Sequence, residues 1–113
     1  MLEKEIEQML VRSVKNIGGL CLKFTCFGLD GVPDRLVLLP KGKCAFVELK
    51  APGKKPRALQ IKRMKQLTAL GFLCFVIDGM EQIGGVIDAI QSASVSELRN
   101  KFYTGASHSC GSA

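Results

Sequence analysis

Apolar residues recur at Leu2, Ile6, Met9, Leu10, Val14 and Ile17, a spacing that returns to one side of a helix every three or four residues. The pattern predicts a helix over 2–17, ended by Gly18-Gly19. Residues 20–27 then read as a strand that runs into the turn-rich Gly28-Leu29-Asp30-Gly31-Val32-Pro33. A second strand is predicted over 35–39, a tight turn at Pro40-Lys41-Gly42-Lys43, and a third strand over 43–50, dense in apolar and aromatic positions. After a basic loop at 51–56, apolar positions Leu59, Ile61, Met64, Leu67 and Leu70 predict a helix over 57–70. Residues 72–78 read as an apolar strand. Ile83, Val86, Ile87 and Ile90 mark a short amphipathic helix weakened by Gly84-Gly85. Ser94-Val95-Ser96-Glu97 resembles a capping box opening a last helix towards Tyr103. The result is an α/β chain of order α-β-β-β-α-β-α, one domain over 1–103, with a small, polar and flexible tail at 104–113.

Three positions break this pattern. Glu3 falls inside the apolar arc of the first helix, between Leu10 and Val14 on the wheel, while Glu7 lies at its edge and Glu5 faces away. An acid on the inward face needs something to meet there, although acids in a first turn also favour the helix dipole. Gln60 sits in the middle of the apolar arc of the second helix and needs a hydrogen-bond partner. That partner could be neighbouring backbone, an active-site water or a phosphate oxygen. The third position is Glu48, two residues before Lys50 and on the same face of its strand. A Pro33-Asp34 pair precedes it by thirteen intervening residues. If 35–39 and 43–50 form a hairpin, Asp34 and Glu48 become neighbours across it. Pro-Asp also suits a plain turn.

Two carboxylates and a lysine meeting at one point suit metal-assisted phosphodiester cleavage. Carboxylate oxygens hold a hard divalent cation, which polarises a phosphate and lowers the pKa of water. A lysine can orient that water or neutralise charge growing on the phosphate.

Charge supports a polyanionic partner. The net charge is +6, but between positions 41 and 65 nine Lys or Arg residues face one acid, leaving +8 in twenty-five residues. The cations other than Lys50 (Lys41, Lys43, Lys54, Lys55, Arg57, Lys62, Arg63 and Lys65) are candidate DNA contacts. A solvated helix face plus a basic loop would look similar. Five cysteines without a CxxC pair fit a reducing, cytoplasmic compartment and not a structural zinc site. No run approaches the length of a membrane span, and no signal peptide is visible. With aromatics at 6% and no Trp, no stacking platform for RNA is evident. The single histidine, His108, falls in the polar tail.

The element order with Pro33-Asp34 and Glu48-Leu49-Lys50 resembles the PD-(D/E)xK nuclease superfamily. Within it, Gly31-Val32-Pro33-Asp34-Arg35, Val47-Glu48-Leu49-Lys50-Ala51-Pro52-Gly53 and Gln60 resemble the virus-type replication-repair nuclease family, VRR-NUC. The resemblance spans about 3–78. It implies a mixed β-sheet flanked by helices and metal-dependent hydrolysis of DNA. It further implies Asp34 and Glu48 as metal ligands, the Leu49 backbone carbonyl as a possible third, Lys50 as the residue acting on water, and Gln60 in support. The family's first-helix acid would be Glu3, with Glu7 second. Freestanding viral and phage members are similar to Holliday junction resolvases, which act as dimers on branched DNA. The expectation is thus a homodimeric, Mg2+- or Mn2+-dependent structure-selective endonuclease. Rivals are a restriction-like or DNA-end nuclease of the same superfamily, and a non-catalytic DNA-binding module on this fold.

Overall fold

The computed structural model describes residues 2–94. The expected last helix, beyond its first residue, and the tail lie outside them. Four strands form one mixed sheet in chain order: β1 (Leu20–Lys23), β2 (Arg35–Leu39), β3 (Lys43–Leu49) and β4 (Cys74–Ile77). β1, β2 and β3 are antiparallel, and β4 runs parallel to β3. The parallel step needs a crossover, which α2 (Ala58–Ala69) supplies; α1 (Glu3–Asn16) precedes the sheet and α3 (Ile83–Ser92) follows it. Each predicted element within the described residues is present, the strands β1 and β4 being shorter than the periodicity suggested.

Alternation along the strands divides the sheet into two unequal faces. Val37, Leu39, Ala45, Val47 and Leu49 point one way and join Ile6, Leu10 and Val14 of α1 and Ile83, Ile87 and Ile90 of α3 in the buried core. The opposite face carries Leu36, Leu38, Phe46 and Glu48, and α2 lies over it. That cover is thin: Gln60 is the one buried residue of α2, while Ile61 and Leu70 are 41% and 73% exposed. The broad apolar arc read from the sequence is therefore only partly used. Phe46 instead packs between Phe24 and Phe72, with ring centroids 5.3 and 5.8 Å away.

The hairpin between β2 and β3 closes through a 3-10 turn, Pro40–Gly42, in which Lys41 takes φ 70° and Gly42 φ 73°. At the other end of the hairpin, the segment from Phe24 to Asp34 bridges β1 and β2. It approaches α2 closely at Gly31 (φ 83°), where a Cβ would stand 2.8 Å from a Leu59 side-chain carbon. Only glycine fits both that backbone angle and that gap.

Candidate active site

The hairpin register pairs Arg35 with Val47, so one step beyond, Asp34 lies opposite Glu48. Both carboxylates belong to the face that α2 covers, as does Lys50. Glu48 is 1% exposed. Its Oε2 accepts a hydrogen bond from Gln60 Nε2 at 2.7 Å and lies 3.3 Å from Lys50 Nζ. The Gln60 amide cannot turn over, because its Oε1 accepts the Arg57 backbone N–H at 2.8 Å at the start of α2. One side chain thus caps the helix and holds the carboxylate, answering why a polar residue occupies that apolar arc. Asp34 is fixed in turn: its Oδ2 accepts the Leu49 N–H at 2.9 Å, and its carbonyl accepts the Phe24 N–H at 2.8 Å.

Burial pushes the Glu48 carboxyl above its usual range, and the charge of Asp34 pushes it the same way. Lys50 opposes both through its hydrogen bond and its charge, and the Asp34 backbone amide opposes them more weakly. The balance remains upward. Glu48 Oε1 is buried with no hydrogen-bond partner, a costly state for a carboxylate oxygen unless a cation or proton meets it. A hard divalent cation fits this donor set: Glu48 Oε1, the second Asp34 oxygen, and the Leu49 carbonyl, which lies past the last β2–β3 pair. Among the described residues no cluster of three His, Cys, Asp or Glu side chains forms, so the described side chains at this point are the two carboxylates Asp34 and Glu48.

The structure does not bring the first-helix acids to this point. Glu3, expected to face inward, is exposed on the opening turn of α1. α1 packs against the other face of the sheet, and a helical wheel cannot say which face its helix will cover. Glu7 is half-buried and engaged elsewhere: Arg35 Nη2 and Nε contact its Oε2 at 2.8 and 3.1 Å. Arg35 also donates Nη1 to the Cys21 carbonyl at 3.1 Å. The sequence reading quoted Arg35 only as part of the Gly31–Arg35 motif and gave it no role; alternation sets it on the face opposite Asp34, which is the face α1 covers.

The cationic cluster is also divided. Lys43 donates Nζ to the carbonyls of Gln91 and Ala93, tying β3 to the C-terminal end of α3. Glu48 lies five residues further along the strand, about 17 Å away at 3.3 Å per residue. Lys41 shares that distant hairpin end. Near the site remain exposed Lys54, Lys55 and Arg57, with Lys62 and Lys65 exposed along α2. Arg63 is partly committed, donating Nε to the Asp30 carbonyl at 2.7 Å and Nη1 to Gln66 at 3.1 Å.

No family model matches the chain. It is 46% identical over 88 residues to "Putative nuclease p44" of Acyrthosiphon pisum secondary endosymbiont phage 1, an alignment covering 78% of this chain and 94% of that protein. Its fold is similar to a solved structure described as a VRR_NUC domain, with a TM-score of 0.72 and 30% identity, covering 76% of this chain and 94% of that one. Among the described residues, no helix is long and apolar enough to cross a membrane.

Proposed function

The chain belongs to the VRR_NUC family of nucleases, and on that footing we propose that it is a divalent-metal-dependent endonuclease that cuts phosphodiesters in branched DNA, with Holliday junctions as the preferred substrate. The observation that carries the reading is Glu48, a buried carboxylate fixed through one oxygen and unsatisfied at the other. Asp34, Glu48 Oε1 and the Leu49 carbonyl would hold Mg2+ or Mn2+. The bound cation supplies polarisation of the scissile phosphate and a lowered pKa for the attacking water.

The remaining work falls to this chain's own groups. Gln60 keeps Oε2 of Glu48 occupied and leaves Oε1 available to a cation. Lys50, beside Glu48 and only 17% exposed, orients the attacking water or offsets charge growing on the phosphate. Lys54, Lys55 and Arg57 sit on the loop that leads from β3 into α2, where they hold the DNA backbone against the site.

Cutting two symmetric strands calls for two symmetric sites, so the acting species is a homodimer. Edge strand β1 supports this: Leu20 and Leu22, on the same face as their partners Leu38 and Leu36, are 59% and 42% exposed.

The test is incubation of purified protein with a labelled four-way junction, a replication-fork flap and linear duplex, with Mg2+ or with chelator. Metal-dependent cutting of the branched substrates is expected. Equal cutting of linear duplex would overturn structure selectivity and favour the restriction-like or end-directed rival. Binding without any cutting would leave a non-catalytic module.

A further inference from the structure

Phe27 is fully exposed, at 103% of its reference area, on the loop between β1 and β2. Both roots of that loop are fixed. At one, Phe24 packs on Phe46 and donates its N–H to the Asp34 carbonyl. At the other, Pro33 is buried, Gly31 lies against Leu59, and the Asp30 carbonyl accepts from Arg63. The tip alone stands in water, with nothing within 4 Å of a Cβ at the adjoining Gly28. An aromatic ring carries one of the largest apolar areas of any side chain, and here the fold buries none of it.

The tip is also close to the chemistry. Phe24 stands across from Asp34, about 5 Å away, and three residues span at most about 11 Å. Phe27 therefore lies within about 16 Å of Asp34, or roughly five base steps at 3.4 Å each. The loop holds no cation: its one charged residue between Phe24 and Gly31 is Asp30. It offers no charged grip on phosphates, and its largest exposed group is the apolar ring of Phe27.

We infer that Phe27 stacks on an unstacked nucleobase at a discontinuity in the DNA, and so makes the loop the branch-reading element of the enzyme. This rests on the DNA-cleaving function proposed above and supplies its selectivity. A linear duplex presents base faces only at its ends, whereas a branch opens them internally. Stacking on an aromatic side chain tolerates any sequence because every base has a π-face, which suits recognition of shape over sequence.

The chain contains no Trp, so Phe27→Trp places one fluorophore at the tip. In chelator, which prevents turnover, a four-way junction should quench the F27W indole emission, and an equimolar linear duplex should quench it much less. Phe27→Ala should lower junction affinity about tenfold and narrow the junction-to-duplex affinity ratio, with F27W restoring the ratio and Phe27→Leu not. Equal F27W responses to the two DNAs, or an unchanged ratio in F27A, would overturn the inference. So would a change of oligomeric state in F27A, which would make the ring a contact between copies. Wild type that cuts junctions with Mg2+ while F27W fails to respond would sink this inference and leave the cleavage reading standing. Wild type that binds neither DNA would sink both.

Discussion

The convergence of Asp34, Glu48, Lys50 and Gln60 was legible because it depends on short-range geometry: alternation along a strand, opposition across a hairpin, and one turn of helix. Their partners give direct predictions. Asp34→Asn or Glu48→Gln should reduce cleavage by at least a thousandfold while leaving salt-dependent binding intact; gel shifts beside single-turnover assays check this. Glu48 also ties stability to pH. Its folded-state pKa lies above the ordinary carboxylate value, so between the two the folded state binds more protons than the unfolded chain. Without metal, stability should fall as pH rises through that window, and E48Q should remove this component. Thermal melts across pH would show it. Mg2+ at a hundred times its Kd should add about 2.7 kcal/mol to wild type and much less to E48Q. Gln60→Leu removes both the donor to Glu48 and the acceptor for Arg57. It should cost roughly ten- to a hundredfold in cleavage and shift the acidic limb of the pH–rate profile upward, because a donor that favours the ionised carboxylate is lost. An unchanged profile would reduce Gln60 to a helix cap.

Which face a helix covers, and which carbonyls a lysine reaches, are set by packing between elements, and there the sequence was silent. α1 offered Glu3 to a site that lies across the sheet from it. Lys43 was read with a basic patch and instead satisfies the last carbonyls of α3, where a cation opposes the negative end of the helix dipole. Phe27 was read as the end of a strand that stops four residues earlier, at Lys23. The Glu7–Arg35 pair belongs to this level too, since it ties α1 to β2 at the site end of the sheet with side chains 27% and 14% exposed. Glu7→Gln should cost about 1–2 kcal/mol in a urea titration while retaining metal-dependent cleavage. Loss of cleavage at unchanged stability would instead place Glu7 among the groups acting on the phosphate.

Across the molecule, the cations that looked like one cluster divide between the site end and the hairpin end, so net charge overstates the footprint on DNA. Neutralising Lys54 and Lys55 together should lower the magnitude of the slope of log affinity against log salt by about 2; neutralising Lys41 should barely move it. The second consequence concerns the β1 edge of the sheet. Proteins usually blunt an exposed edge strand with charge, proline or a bulge, yet β1 carries a single charge, Lys23, and turns Leu20 and Leu22 to solvent. A two-fold copy seated edge to edge would pair the open backbone groups and set those leucines beside their counterparts on one face of a continuous sheet, and it would also provide the second site that a symmetric junction needs. A Leu20→Lys, Leu22→Lys double variant would then set like charges against each other across the axis. It should sediment as a monomer and convert a cruciform plasmid to nicked circles, where wild type should give linear product within one binding event. A variant that remains dimeric and still linearises the plasmid would move the contact away from this edge.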